Sequence, residues 1–465
     1  MSELDALVHP RSIALVGLPR GMKAGKVFLL GLLDQQFAGP IYPVHPQAAE
    51  IDGLRAYPRI LDVPDPLDEV IVMAPRETVP GILEECAAKR VKVVVVYTSG
   101  FGESGDEAGR REERRLKELA VKGGFRLLGP NCMGVYSPAA GLANFPGLSR
   151  TPGPVGLLSQ SGSLTNLFTS LCSSRGIHFR HAVSYGNGCD VDLPDLLTWM
   201  GEDPDVGVLC IYCEGVRDGG ALAAACRSLA GRKPVIIWKT GETAAGRRAA
   251  ASHTGSLSGQ ARLWRSLFRQ CGWSRVQDIE GMLDLTTAFC NVPLSARGRV
   301  VVVSGPGGPA VSAADAAERA GLEMAVLGRE TRARLAAVLP PTGTSIRNPV
   351  DVGLSASFDL RLYLDSLEAL AADREVDVLA VLGGGATAEL SETYIQGLVD
   401  LRRKSGKAVL AVTLPGYLTD ETLLEPLYHA GVPVYPTPER ALRAYAEVVR
   451  FARFREARRE HAPAA

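Results

Sequence analysis

The stretch Pro154-Val-Gly-Leu-Leu-Ser-Gln-Ser-Gly-Ser163 decides the fold of this chain. A short apolar run ends in a Ser/Gly turn, and a helix-like segment follows at 164–173. The same order recurs at 299–310, where Arg-Val-Val-Val-Val-Ser is followed by Gly-Pro-Gly-Gly-Pro-Ala. Repeated strand, turn and helix segments are typical of parallel sheets covered by helices. The sequence therefore predicts an α/β protein.

The 465 residues exceed what one hydrophobic core usually holds, and the pattern falls into three blocks. The first block has five predicted strands within about 120 residues, as expected for one Rossmann-like domain. Two segments with Pro and Gly residues and no clear periodicity, 137–153 and 291–298, are predicted linkers. We predict domains at 1–136, 150–292 and 298–460. The predicted strands are 12–17, 40–44, 69–73, 91–97 and 125–128; then 154–158, 181–184, 206–213 and 235–239; then 299–304, 376–382 and 407–413, before a charged helix at 438–459.

Composition argues against several classes of function. The 51 basic and 51 acidic residues cancel, so a general nucleic-acid or membrane-surface role has no electrostatic support. No apolar run reaches the length of a transmembrane helix, and residues 1–7 show neither a basic leader nor an apolar core. Nine scattered cysteines fit reduced thiols. We expect a cytoplasmic protein.

No metal site is predicted. Cys210 and Cys213 form a C-x-x-C pair, but they lie three apart in one predicted strand, so their side chains point to opposite faces. His178 and His181 lack partners at metal-ligand spacing and are expected to be surface residues.

Three strand-to-helix turns are candidates for phosphate binding: 17–25, 159–163 and 304–310. The first turn of a helix carries unpaired N–H donors and the positive end of the helix dipole, and glycine lets an anion approach the backbone. The alternative is that these glycines merely permit tight turns. The third turn also matches the relaxed dinucleotide fingerprint, but no clear strand-end acid follows at the required distance.

His253 lies in Ser252-His-Thr-Gly-Ser256, at the end of a loop of small residues that also carries Arg247 and Arg248. Long loops in compact α/β domains are usually functional or disordered, so the pattern suggests a mobile imidazole that handles an anion. A solvated surface histidine is the alternative. Glu214 ends the predicted strand 206–213, where active-site groups of parallel sheets gather and where a carboxylate can orient a histidine. The alternative, that Glu214 is simply an acidic residue in a turn, has nearly equal weight.

In order and spacing, these motifs resemble those of the NDP-forming acyl-CoA synthetases, the superfamily of succinyl-CoA synthetase, and most closely the α subunits of the ADP-forming acetyl-CoA synthetase type. The resemblance covers nearly the whole chain. The matching motifs are Tyr42-Pro-Val-His-Pro46, Ser99-Gly-Phe-Gly-Glu103, Leu128-Gly-Pro-Asn-Cys-Met-Gly134, Ser159-Gln-Ser-Gly162, Tyr212-Cys-Glu-Gly215, Lys239-Thr-Gly241, Ser252-His-Thr-Gly-Ser256 and Gly305-Pro-Gly-Gly308.

The resemblance implies an N-terminal Rossmann-like domain that binds coenzyme A, followed by two flavodoxin-like, succinyl-CoA synthetase-like domains. It implies that His253 is phosphorylated and that Glu214 orients it. It also implies that two helix starts hold the phosphohistidine, one at Ser161, Gly162 and Ser163 and the other at Gly307 and Gly308. The implied coenzyme A contacts, together with the cations near the first turn, are Gly17, Leu18, Arg20, Lys23, Lys26, Ala74, Pro75, Ser99, Gly100, Phe101 and Asn131.

The chain departs from the family pattern in two respects. Its first turn reads Gly17-Leu-Pro-Arg20, where the family usually has a small residue and a serine. The three blocks also leave no room for the ATP-grasp domains, so a separate β subunit is expected to bind Mg-ADP or Mg-ATP.

The predicted function is an ADP-forming acid–CoA ligase acting on a small carboxylic acid or its acyl-CoA. A non-catalytic coenzyme A-binding regulatory or scaffold protein and, more weakly, an NAD-dependent oxidoreductase are the alternatives. The presence of both His253 and Glu214 favours the enzyme.

Overall fold

The computed structural model describes residues 3–248, 260–305, 307–384, 387–413 and 421–461. The chain divides into two compact units, Met1–Ser174 with His178–Met282, and Arg175–Ile177 with Leu283–Ala465. Parallel sheets flanked by helices dominate both units, which confirms the predicted α/β fold. The three predicted domain boundaries stay a prediction.

The first sheet belongs to the first unit, and all five of its predicted strands are present. Its strands are β1 (Ile13–Val16), β2 (Ile41–Val44), β5 (Glu69–Val72), β6 (Val93–Val96) and β7 (Arg126–Leu128), with a separate hairpin of β3 (Glu50–Ile51) and β4 (Leu54–Arg55). The order is β2-β1-β5-β6-β7, and every pairing is parallel. The helices are α1 (Lys26–Asp34), α2 (Val79–Lys89) and α3 (Glu107–Gly123).

The second sheet also lies in the first unit. Its strands are β8 (Gly134–Tyr136), β9 (Pro152–Ser159), β10 (Phe179–Ser184), β11 (Val208–Cys213), β12 (Val235–Lys239) and β13 (Ser274–Val276). The order is β13-β12-β11-β9-β10-β8, with β8 antiparallel at one edge. The helices in this part of the chain are α4 (Gly162–Ser173), α5 (Leu193–Glu202), α6 (Gly219–Leu229), α7 (Ala261–Gln270) and α8 (Ile279–Asn291), which runs into the second unit.

The third sheet forms the centre of the second unit. Its strands are β14 (Arg299–Ser304), β15 (Glu323–Met324), β16 (Val350–Asp351), β17 (Val378–Leu382), β18 (Ala408–Val412) and β19 (Val434–Tyr435). The order is β15-β14-β17-β18-β19, and β16 pairs with β14. The helices are α9 (Gly307–Arg319), α10 (Arg329–Val338), α11 (Leu360–Ala371), α12 (Ala388–Ser405), α13 (Glu425–His429) and α14 (Pro438–Glu460).

Strands covered on both faces explain the continuous apolar runs. All four valines of β6 are buried, as are the four valines of β14. A strand with one solvated face would alternate apolar and polar residues instead. These apolar runs therefore reflect the hydrophobic burial that holds each sheet between its helices.

A polar network joins the loops of the two sheets within the first unit. Glu113 of α3 is buried, and its Oε2 accepts hydrogen bonds from the backbone N–H of Gly102 (3.1 Å) and from Nδ2 of Asn187 (2.6 Å). Its Oε1 accepts a hydrogen bond from Nη2 of Arg217, in the loop that follows β11. Because a buried carboxylate is stable only when it is paired, Glu113 depends on partners from both sheets.

The expectation that His181 is a surface residue is wrong. Its side chain points into the core from β10, is 2 % exposed, and stacks on Trp199 with 5.5 Å between ring centroids. Its Nδ1 lies 2.9 Å from Oγ of Ser137. Burial lowers the pKa of His181 to about 4, so the ring is neutral at pH 7.

The nine cysteines, all within the described residues, form no disulfide. Burial raises the pKa of the Cys213 thiol to about 12. Among the described helices, none is long and apolar enough to cross a membrane.

Candidate functional site

A cavity of about 780 Å³ opens at the carboxyl ends of β1, β2 and β5. Ligands of open parallel sheets bind at this edge because the loops that follow the strands meet there.

Gly17 shapes the wall of this cavity. It follows β1 with φ +82°, and a Cβ atom there would lie 2.7 Å from the backbone N of Ala74, the second residue after β5. Both the backbone angle and this close approach require glycine.

Five of the predicted coenzyme A residues line the cavity: Gly17, Leu18, Lys23, Ala74 and Pro75. The other predicted residues are absent from its lining: Arg20, Lys26, Ser99, Gly100, Phe101 and Asn131.

Three of the non-lining residues have other roles. Lys26 is buried, and its ammonium group pairs with Asp52. Phe101 is fully buried in the core of the first sheet. Asn131 adopts φ 58°, and its Nδ2 lies 3.4 Å from Oδ1 of Asn187.

The Ser99–Gly100 segment adjoins the rim of the cavity without lining it. Oγ1 of Thr98 donates to the carbonyl of Ala74 (2.7 Å), and Nη1 of Arg76 donates to the carbonyl of Gly100 (2.5 Å). The backbone N–H of Gly100 in turn donates to Oε1 of Glu103 (2.5 Å). These bonds fix the loop after β6 against the loop after β5.

Several residues that line the cavity were not predicted from the sequence. The polar and aromatic ones are His45, Arg59, Thr78, Glu85 and Tyr97. His45 directly follows a correctly predicted strand, so its position at the carboxyl edge of the sheet could have been predicted from the sequence. Arg59 carries no such signal, because its position depends on its ion pair with Glu85 (2.9 Å).

Glu214 lies at the carboxyl end of β11 and is 5 % exposed. Oε1 of Gln160 accepts hydrogen bonds from the backbone N–H groups of Glu214 (2.5 Å) and Gly215 (3.0 Å). The carbonyl of Glu214 accepts a hydrogen bond from Nζ of Lys239 (2.6 Å). Its carboxylate Oε1 accepts one from the hydroxyl of Tyr212 (3.1 Å). Backbone and side chain are therefore held by different partners.

Lys239 is a buried cation at the end of β12. Its ammonium group also donates to the carbonyl of Thr240, and it lies 5.0 Å from the ring centroid of Trp264. Burial lowers the pKa of Lys239. Carbonyl dipoles and the face of an indole ring stabilise an ammonium group in such a place.

Helix α4 begins beside Glu214, because Gln160 belongs to the turn that precedes the helix. Ser161 is the N-cap, and its Oγ accepts a hydrogen bond from the backbone N–H of Leu164 (3.3 Å). Ser163 is exposed at the first turn. A Cβ atom on Gly162 would lie 2.2 Å from Cγ of Met133, so packing already requires this glycine.

Helix α9, in the second unit, begins with the exposed residues Gly307 and Gly308. A Cβ atom on Gly307 would lie 2.9 Å from Oδ2 of Asp351, at the end of β16, whereas one on Gly308 would meet nothing within 4 Å. Both predicted glycine helix starts are thus present, each in its own unit. His253 lies outside the described residues.

Residues 11–138 match the coenzyme A binding domain family, and residues 152–289 match the succinyl-CoA ligase-like flavodoxin domain family. The chain is 34% identical, over 98% of its length and 99% of the relative's, to the α subunit of acetate–CoA ligase (ADP-forming) I of Pyrococcus furiosus. The chain belongs to the NDP-forming acyl-CoA synthetase family. The resemblance stated above is confirmed, and the protein is an acid–thiol ligase.

Other relatives in this family agree. The α subunit of the Pyrococcus furiosus acetate–CoA ligase (ADP-forming) II is 35% identical over 96% of the chain and 97% of its own length. A solved structure, the dinucleotide forming acetyl-coenzyme A synthetase 1 of Ca. Korarchaeum cryptofilum in complex with phosphate and ADP, superposes with a TM-score of 0.89. It is 32% identical, and the match covers 100% of both chains.

Proposed function

We propose that this chain is the α subunit of an ADP-forming acid–CoA ligase that carries a phosphoryl group on His253. The observation that carries the proposal is the buried carboxylate of Glu214, held at the carboxyl end of β11 next to the start of α4. A buried acid beside a helix N-terminus fits a role in orienting an imidazole that handles phosphate.

The proposed reaction has three steps. A phosphate oxygen attacks the thioester carbonyl of acyl-CoA, the C–S bond breaks, and an acyl phosphate and coenzyme A form. A nitrogen of His253 then attacks phosphorus, the P–O bond to the acyl group breaks, and the carboxylic acid leaves. Finally ADP takes the phosphoryl group as the P–N bond breaks, which gives ATP. The reverse sequence makes acyl-CoA.

The groups of this chain contribute orientation and electrostatic stabilisation. The carboxylate of Glu214 accepts a hydrogen bond from one ring N–H of His253. The other ring nitrogen is then free to attack phosphorus. At the start of α4, the N–H groups of Gly162 and Ser163 stabilise the phosphoryl anion, while Ser161 caps the helix and donates its own N–H to Oγ of Ser159 (3.1 Å). The resemblance assigns the same task to Gly307 and Gly308 at the start of α9. Each helix start contributes about 0.3–1 kcal/mol when exposed and up to about 2 kcal/mol when partly buried.

Coenzyme A is proposed to bind in the cavity at β1, β2 and β5. The cavity lies within residues 11–138, the part of the chain that matches the coenzyme A binding domain family. Its cationic lining residues, Lys23 and Arg59, suit the phosphates of the coenzyme, and its apolar walls suit the pantetheine arm.

A separate ATP-grasp β subunit is proposed to bind Mg-ADP or Mg-ATP. The full-length match to α subunits supports this division. The acetate–CoA ligase (ADP-forming) I of Archaeoglobus fulgidus supports it further, because this chain spans 64% of that relative.

The proposal is tested by reconstituting the chain with its nucleotide-binding subunit and adding γ-labelled ATP. Wild-type protein should acquire an acid-labile, base-stable label on the α chain. His253→Asn should acquire none, and Glu214→Gln should acquire it at least tenfold more slowly. Label retained by His253→Asn would refute the assignment of His253.

A further inference from the structure

Tyr212 lies in β11, two residues before Glu214, which directly follows the strand. Its hydroxyl donates to Oε1 of Glu214 at 3.1 Å. Its ring packs edge-to-face on Trp238 of the neighbouring strand β12, with 5.1 Å between centroids and 78° between planes. The ring is therefore fixed independently of the hydroxyl.

A second hydroxyl orients the phenol. Oγ1 of Thr240 donates to the Tyr212 hydroxyl at 3.4 Å, and the backbone N–H of Thr240 donates to the carbonyl of Cys213 at 3.0 Å. An ionised carboxylate accepts hydrogen bonds but donates none. The two hydrogen bonds therefore point in the same direction: Thr240 donates to Tyr212, and Tyr212 donates to Glu214.

The backbone of Glu214 does not depend on this hydroxyl chain. Gln160 holds its N–H and Lys239 holds its carbonyl. Loss of the phenolic hydroxyl would leave the strand end in place and remove one of the bonds that orient the carboxylate. A glutamate side chain has several rotatable bonds, so a partner that selects one orientation removes entropy before the reaction begins.

We propose that Tyr212 is a positioning residue that fixes the carboxylate of Glu214 toward the imidazole it serves. This inference rests on the proposed function. A carboxylate has two oxygens with several lone pairs, so it accepts a bond from Tyr212 and one from an imidazole together. Burial raises the pKa of Tyr212 to about 12, which keeps the phenol a donor at assay pH.

Tyr212→Phe tests the inference, because phenylalanine keeps the ring against Trp238 and removes the hydroxyl. With the nucleotide-binding subunit and labelled ATP, the rate of His253 phosphorylation should fall about tenfold, the usual scale for a hydrogen bond to a charged group. The Kd for coenzyme A should stay unchanged. A wild-type phosphorylation rate in Tyr212→Phe would overturn the inference.

Tyr136→Phe is the matched control. Its hydroxyl also makes a hydrogen bond, to the carbonyl of Ser149 at 2.6 Å, but on β8 at the far edge of the same sheet. It should leave the phosphorylation rate unchanged. An equal slowing in both variants would show a general effect of losing a hydroxyl and would overturn the inference.

A double-mutant cycle separates this inference from the proposed function. In a Glu214→Ala background, Tyr212→Phe should slow phosphorylation by less than about twofold, because the side chain that Tyr212 positions is gone. A full tenfold slowing in that background would overturn the role of Tyr212. If Glu214→Gln alone kept the wild-type rate, the proposed role of Glu214 would fail instead.

Discussion

At the scale of single residues, backbone angles and close approaches explain the site better than residue type alone. Gly17 is fixed by a positive φ and by contact with Ala74. Lys23 and Lys26 are only three positions apart, yet one lines the cavity and the other is buried against Asp52. A basic residue near a glycine turn is therefore a weak predictor of phosphate contact until the partners of its ammonium group are known.

Gly17→Ala should lower coenzyme A affinity at least tenfold. The added methyl group would lie 2.7 Å from the backbone of Ala74, and φ +82° disfavours alanine by about 1–3 kcal/mol. Isothermal titration with coenzyme A measures the loss. Gly53→Ala is the control, because Gly53 has φ +78° but a Cβ atom there would meet nothing within 4 Å. Gly53→Ala should have the same backbone strain as Gly17→Ala but should bind coenzyme A with wild-type affinity. If Gly17→Ala bound coenzyme A with wild-type affinity, the proposal that the coenzyme binds in this cavity would be refuted.

At the scale of secondary structure, the helix starts show how packing and proposed function share the same residue. Gly162 and Gly219 are both the first residue of a helix, after the side-chain caps Ser161 and Asp218. Gly162 faces Met133 at a distance that excludes a methyl group, whereas Gly219 faces open space. The same residue type at the same helix position therefore has different reasons for being glycine.

Gly162→Ala should destabilise the protein by about 1–3 kcal/mol, the usual cost of forcing an extra methyl group into a packed contact. Urea unfolding of purified variants measures it. Gly219→Ala, at the matching position of α6, should be neutral or slightly stabilising, since alanine favours helix over glycine. Equal stability of the two variants would show that Met133 moves aside freely.

At the scale of the whole molecule, the sequence predicted the long elements and missed the short ones. Runs such as 93–96 and 300–303 favour buried strands, because they are short and consist only of the β-branched residue valine. The strands β15, β16 and β19 have two residues each, which is too short for any periodicity to show. Contacts made across the fold, such as Lys26 with Asp52, were also hidden. Asp52-Gly53 is a sequence signal for the turn of the β3–β4 hairpin, but it does not show which distant residue pairs with Asp52.

Stability of the whole molecule should fall as pH rises from about 4.5 to 8. Glu69 is fully buried in β5, and its Oε2 has no hydrogen-bond partner among the described residues. Burial raises the pKa of Glu69 to about 8, from an ordinary value of 4.5. The folded chain thus binds a proton that the unfolded chain releases across this range, so folding is favoured below it. Urea unfolding at pH 5.5, 7 and 8.5 measures the slope.

Glu69→Gln is the matched variant for this measurement, because glutamine has nearly the same shape and does not ionise. Its stability should depend less on pH than that of wild type and should exceed it at pH 8.5. Parallel curves for the two proteins would show that other groups dominate the pH dependence.

The buried carboxylate of Glu113 bears on how this enzyme is cut into fragments. A truncated protein ending near residue 136 would contain Glu113 and Gly102 but neither Asn187 nor Arg217. Such a fragment would lose two of the hydrogen-bond partners of Glu113 and uncover the face of α3 that they pack on, so it should be less stable than the intact first unit. An expressed fragment of the first compact unit is better ended at Asn291, where α8 ends, than at Met282, which lies inside that helix.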